Sequence, residues 1–365
     1  MTINYYNSIL FALLSFASLN VFAQLDIDSN LATEKEKSFW KGFSRYDFKY
    51  KQKEARLIVP NNPLPGKPWL WRARFPDWHT EADSILVSDG FHLAYINTDN
   101  QYGSPDAIKI WDDFYAFLTT ELKLQKKVAL IGVSRGGLFI YNWAKKNPEK
   151  VACIYAEAPV CDFKSWPAGF GASKGNLNDW KKLKEEYGFI SDDEAKLYSN
   201  NPIDSLDALA GEKVPILHMI GLNDKIVPPN ENTMPLINKY ISLGGIATVV
   251  TCTRGKQKLE GHHFPIETPQ TVTDFIKYHT LRFSPLNASS YHHERHDLKN
   301  SRIKFQSEKN PSCTMVVDIL KFVFNEKKGQ KMVILSTIDK GFEMNDEMAA
   351  FLLENPDMEV NVETA

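Results

Sequence analysis

A serine hydroxyl attacks a carbonyl at neutral pH when a histidine takes its proton and a carboxylate fixes that histidine. The 365-residue sequence carries such a set in the order Ser134, Asp224, His262. Ser134 lies in Gly132-Val133-Ser134-Arg135-Gly136-Gly137, directly after the apolar run 127–131 and directly before a helix-patterned segment from Leu138. A strand that turns at once into a helix forces the serine into a strained conformation, and small neighbours let the backbones approach. The same turn leaves the Arg135 amide at a helix N-terminus, facing any oxyanion that forms. A glycine-rich turn packing a helix on a sheet has the same letters, so the flanking strand and helix carry the reading.

Asp224 follows a buried run at 216–220, where a strand end delivers a carboxylate; a turn or capping aspartate is the plainer account of it. Asp162, after the run at 151–156, is its rival. Glu260-Gly261-His262-His263 offers two histidines. His262, straight after glycine, fits a tight turn facing the serine, and His263 is left to pack or to touch substrate. Arg72 and Arg74 stand at the end of a strand at 69–73; they either meet an anionic substrate or form ion pairs, and arginine forks suit both. Trp166, with Phe163, Phe170 and Trp180, would stack on a sugar ring or build a small core of its own. His293-Glu294-Arg295-His296 is one residue short of the zinc-protease spacing and sits in a polar stretch, so it predicts no metal site.

These residues need a frame. Short apolar runs at 55–59, 69–73, 92–96, 128–133, 151–156, 216–220 and 247–251 alternate with helical patterns at 81–86, 107–122, 138–146, 193–198, 232–243 and 272–279. That alternation predicts an α/β chain around a mainly parallel sheet. One domain is expected over 24–282. The Trp-, Gly- and Lys-rich stretch at about 162–187 interrupts it as a lid insertion. Residues 283–365 form a C-terminal appendage of open role, with strands expected at 314–324 and 332–337 and a helix at 344–354.

Taken together, the stretch 54–281 resembles the α/β-hydrolase superfamily. The strings that carry the likeness are 67–75, Gly103-Ser104-Pro105, 132–137, Ala158-Pro159-Val160-Cys161-Asp162, 224–228 and Gly261-His262-His263. Within it the chain looks most like secreted bacterial esterase-like members found with polysaccharide-degrading enzymes. The resemblance implies ester hydrolysis through an acyl-enzyme, with Ser134, Asp224 and His262 catalytic and no cofactor. It implies a second oxyanion donor from 72–75, although no His-Gly pair stands there. A small-molecule or oligosaccharide ester is the expected partner; a serine peptidase, or a binding protein on the same fold, is the alternative.

Net charge is −2 and the pI about 6.5, so no positive field gathers nucleic acid. Residues 1–23 read as a signal peptide: an apolar run from Ile9 to Phe16, then Val21-Phe22-Ala23, with no Lys or Arg before the run. The run is too short to span a bilayer, which predicts export to the periplasm or beyond rather than insertion. Cys153, Cys161, Cys252 and Cys313 lack metal spacing and are expected as buried small hydrophobes.

Overall fold

The computed structural model describes residues 31, 35–252, 255–266 and 268–281, together with the backbone of strands at 302–306, 313–318, 331–336 and 361–364. The leader at 1–23, the helix expected at 344–354, the histidines at 292–296 and the Cys313 side chain lie outside the described residues.

Apolar runs become strands wherever both faces can be buried. β4 (Trp69–Arg72), β5 (His92–Ile96), β6 (Val128–Val133), β7 (Val151–Glu157) and β8 (Pro215–Ile220) are buried at every position. Such strands read as continuous hydrophobic runs, as parallel sheets covered on both sides require. β1 (Lys35–Trp40), β2 (Phe43–Tyr50) and β3 (Lys53–Val59) form an antiparallel meander at one edge. β9 (Ile246–Thr251) continues the parallel part, and β12 (Lys331–Ser336) pairs with it in parallel. The ten-stranded order is β1-β2-β3-β5-β4-β6-β7-β8-β9-β12. β10 (Arg302–Gln306), β11 (Cys313–Asp318) and β13 (Asn361–Thr364) make a separate antiparallel sheet.

The helices are α1 (Glu81–Ser88), α2 (Pro105–Thr120), α3 (Gly136–Lys146), α4 (Leu177–Tyr187), α5 (Asp192–Leu197), α6 (Asp207–Gly211), α7 (Thr233–Ser242) and α8 (Pro269–Leu281). Alternation along β4 divides the core. Trp69 and Trp71 face α2 and α3, where Trp71 stacks on Trp111 at 4.2 Å and meets Trp143 edge-on at 5.1 Å. Leu70 faces the other way, joining Leu86 of α1 and Ile276 of α8. The helix starts are chemically set: Pro105 occupies the first turn of α2, whose N-cap Ser104 accepts from Ala107 N–H at 3.3 Å.

The sheet reverses direction of growth at β4: β5 lies on one side of it and β6 on the other. A crevice opens outside the carboxyl ends of the strands at such a point, because the following loops leave in opposite directions. Ser134 follows β6 there. The segment 162–187, expected as a lid insertion with no helix assigned to it, contains α4, capped by Asn176 at its start and by Gly188 (φ 75°) at its end. Only Trp180 and Leu183 of this helix are buried, too few to stand out as an apolar stripe.

Candidate active site

The turn after β6 holds Ser134 at φ 52°, a left-handed conformation that a side chain other than glycine seldom adopts. Its N–H donates to the Glu157 carbonyl (2.8 Å), and its own carbonyl accepts from Gly137 N–H (3.0 Å) and Val160 N–H (2.9 Å). Of the flanking positions Gly137 needs glycine for space, since a Cβ there would stand 2.5 Å from the Val160 main-chain carbonyl; at Gly132 it would meet the tip of the Ile140 side chain at 2.5 Å, which can shift. At Gly136 the same atom would make ordinary contact, 3.5 Å from Ala73 Cβ.

His262 Nε2 lies 2.9 Å from Ser134 Oγ, and His262 Nδ1 lies 2.6 Å from Asp224 Oδ2. The other Asp224 oxygen accepts from the Ile226 and Val227 amides, each at 2.9 Å. With the carboxylate on Nδ1, that nitrogen carries the proton and Nε2 is free to accept one from the serine. The two loops are packed as a unit. Lys225 N–H donates to the Glu260 carbonyl (2.9 Å), and Gly261, at φ 89°, sits so close to Asn223 that a Cβ would come within 2.5 Å of its carbonyl.

A cavity of about 410 Å³ opens over Ser134. It is walled by Phe75 and Trp78 from the loop after β4, by Trp166, Asn176 and Asp179 from the insertion, and by Glu157 and His263. A larger shallow groove of about 940 Å³ runs along β1 to β3 among charged side chains and includes none of these residues. Among the described residues no His, Cys, Asp and Glu cluster is suited to a metal ion, and no helix is long and apolar enough to cross a membrane. Cys153, Cys161 and Cys252 are all buried.

Of the residues expected to bind substrate, Trp166 and His263 reach the cavity and three do not. Arg72 is 2% exposed: its guanidinium bonds Asp83 (2.7 Å) and the carbonyls of Phe75 (3.1 Å) and His79 (3.2 Å), which leaves it inside the wall. Arg74 pairs with Asp99 and lies over the Phe75 ring. Asp162 stays out of the histidine relay. Its carboxylate accepts from Lys164 N–H (2.9 Å) in the turn that opens the insertion, and burial raises its pKa.

Sequence reading missed Trp78, His79, Glu157 and Asp179. Glu157 Oε1 accepts from Trp78 Nε1 (3.3 Å) and His79 Nδ1 (2.5 Å). Burial pulls the His79 pKa down, but the hydrogen bond to Glu157 and the negative charges of Glu157 and Glu81 more than offset it, so the net shift is upward. For His263 burial dominates, helped by the neighbouring His262, and its pKa is lowered. The amides of Phe75 and Arg135 donate to no acceptor among the described residues.

The sequence profile of the prolyl oligopeptidase family matches residues 86–279, more than half of the chain and the whole span from Ser134 to His262. The chain belongs to the prolyl oligopeptidase family. With its sheet order and its serine at the end of β6, this family member has the α/β-hydrolase fold and is a serine hydrolase. Among curated proteins none matches it. Solved structures similar to this prolyl oligopeptidase-family chain include an acetyl xylan esterase from Paenibacillus sp. R4, at 17% identity over 71% of this chain and 94% of that one, TM-score 0.49. A 2,6-dihydroxy-pseudo-oxynicotine hydrolase is similar at 13% identity over 70% of each chain, TM-score 0.48. A putative dipeptidyl aminopeptidase IV from Bacteroides ovatus is similar at 15% identity over 67% of this chain, TM-score 0.47, and this chain spans only 36% of its length.

Proposed function

We propose that this serine hydrolase cleaves carboxylic esters through an acyl-enzyme. The observation that supports it is the continuous relay Asp224–His262–Ser134, with contacts of 2.6 and 2.9 Å, opening on a cavity sized for a small substrate. His262 Nε2 takes the Ser134 proton as Oγ bonds the carbonyl carbon. Asp224 holds the resulting imidazolium, and the Arg135 amide at the start of α3 donates to the oxyanion. Collapse of the tetrahedral intermediate breaks the bond to the alcohol, which leaves with the proton from Nε2. Water then repeats the sequence on the acyl-serine and frees the acid.

Within that reading the alcohol is a sugar. Three aromatic rings, Phe75, Trp78 and Trp166, share the cavity with hydrogen-bonding groups of Asn176 and Asp179, a mixture suited to the apolar faces and hydroxyl edges of a carbohydrate. The apolar leader at 1–23 supports export to the periplasm or the cell exterior, where acylated polysaccharides occur. Residues 24–282 are the catalytic domain and 283–365 an appendage to it. A peptidase is the second reading, favoured by the family match.

Initial rates on 4-nitrophenyl esters from acetyl to decanoyl, on acetylated oligosaccharides and on aminoacyl 4-nitroanilides separate these readings. Ester turnover and fluorophosphonate labelling, both lost in Ser134→Ala, are expected. Anilide turnover exceeding ester turnover would replace the esterase with a peptidase, and no acetate from acetylated sugars would remove the carbohydrate assignment.

A further inference from the structure

Glu157, the last residue of β7, is engaged on the site at both ends. Its main-chain carbonyl accepts the Ser134 N–H at 2.8 Å. Its side chain, on a residue only 4% exposed, accepts from Trp78 and His79 of the loop after β4 at 3.3 and 2.5 Å. That loop is not at rest by itself: Phe75 and His79 hold φ values of 50° and 46°, which persist only where the surroundings over-determine them. Arg72 holds the carbonyls of both residues from inside the wall, and Glu157 holds the loop from the cavity side. The Phe75 amide donates to no acceptor among the described residues, and Phe75 lines the cavity with Ser134.

We propose that Glu157 is a positioning residue that sets the gap between the Ser134 turn and the facing loop, so that the Phe75 amide joins the Arg135 amide in holding the oxyanion. The proposal rests on Ser134 being the nucleophile. Its physical basis is geometric: oxyanion donors act within a narrow range of distances, and a displacement of about 1 Å costs on the order of 10²-fold in rate. One residue can couple the two sides because its carbonyl and carboxylate leave the same backbone in different directions.

Steady-state kinetics and fluorophosphonate labelling of wild type, Glu157→Gln, Glu157→Ala and the double variant Trp78→Phe/His79→Ala test this. Glu157→Ala should lower kcat by roughly 10- to 100-fold with KM within about twofold. Glu157→Gln keeps an acceptor oxygen for the loop and should recover most of the loss. The double variant should reproduce the Ala phenotype, and combining it with Glu157→Ala should add little, since both break one contact. If Glu157→Ala does not fold, the double variant decides: a fall in kcat at constant KM supports the proposal, and unchanged kcat overturns it. A loss confined to KM, or a Gln variant as poor as Ala, would instead make Glu157 a charged subsite and overturn the positioning role. A labelled wild type with an equally labelled Glu157→Ala overturns the proposal alone, whereas an unlabelled wild type removes it along with the Ser134 reading.

Discussion

Arg135 and Asp179 form an ion pair at 3.0 Å that ties the turn after Ser134 to the first turn of α4. Arg135 lies over the Tyr102 and Trp166 rings, and Tyr102 donates its hydroxyl to the same Asp179 carboxylate at 2.5 Å. The insertion is fastened to the other two site loops as well, through Ser173 to the Ile226 carbonyl (2.7 Å) and Lys174 to Glu260 (2.9 Å). It therefore acts as a brace across the three segments that bring Ser134, Asp224 and His262 together.

Asp179→Ala would leave Arg135 and the Tyr102 hydroxyl without their shared acceptor, in a place where Arg135 is 18% exposed. Stability should fall by about 1–3 kcal/mol, and KM should rise more than kcat falls, because the cavity wall moves and the relay does not. Thermal melts with steady-state kinetics check this; an unchanged melt and KM would mean the pair is ornamental.

Asp224→Asn preserves shape but lets the amide present an N–H to His262 and favour the wrong tautomer. With Asp224 bonded to Nδ1 at 2.6 Å, kcat should drop on the order of 10³- to 10⁴-fold while the protein stays folded. The matching change at Asp162, whose partner is the Lys164 amide, should leave kcat within a few fold. Comparable losses in the two variants would contradict the observed wiring.

Gly137→Ala forces a methyl to within 2.5 Å of the Val160 carbonyl, a main-chain atom of the loop after β7, where the Val160 amide is bonded to the Ser134 carbonyl. Soluble yield and thermal midpoint should collapse. Gly136→Ala meets only ordinary contact at 3.5 Å and should fold with little change. Gly136 is thus the more replaceable of the two adjacent glycines, which expression of the two variants side by side would show.

Acid should destabilise this protein early. Burial pushes His92 and His218 down to about 3, so the folded chain keeps both neutral while the unfolded chain protonates them near the ordinary value of about 6.5. The unfolded state then binds more protons, and stability falls as pH drops from about 6.5 towards 3, by up to about 1.4 kcal/mol per pH unit for each histidine. His79 has the opposite sign: its raised pKa contributes stability that is full below about 6.5 and lost as pH rises through the folded value. Denaturant midpoints between pH 7 and 5 should fall, and replacing His218 by Gln, which can still meet Tyr141 and Thr233, should flatten that slope.

Local chemistry made much of this legible in advance. The runs at 128–133 and 216–220 are buried on both faces, so their hydrophobicity is continuous and their strand identity needs no knowledge of neighbours. Ser134 is legible for the same reason, since the turn that strains it is written within six residues. β1 and β2 were not: they lie at a sheet edge, and Lys35–Trp40 is mostly polar, with Trp40 its one buried residue. α4 escaped because its stability comes from Asn176 and Gly188 at its ends and from two buried side chains, not from a long apolar stripe.

The sequence by itself determined which residues could serve as nucleophile, base and acid, because each type's chemistry and its local turn are short-range properties. Only the tertiary structure decided between Asp224 and Asp162, and between His262 and His263, as the members brought within hydrogen-bond reach of one another. Those choices depend on contacts between residues 38 and 128 positions apart in the chain. The same holds for Glu157, an acid at the end of a buried strand whose partners Trp78 and His79 lie some eighty residues earlier. Folding at the crossover between β4 and β6 joins them, and no local pattern records that distance.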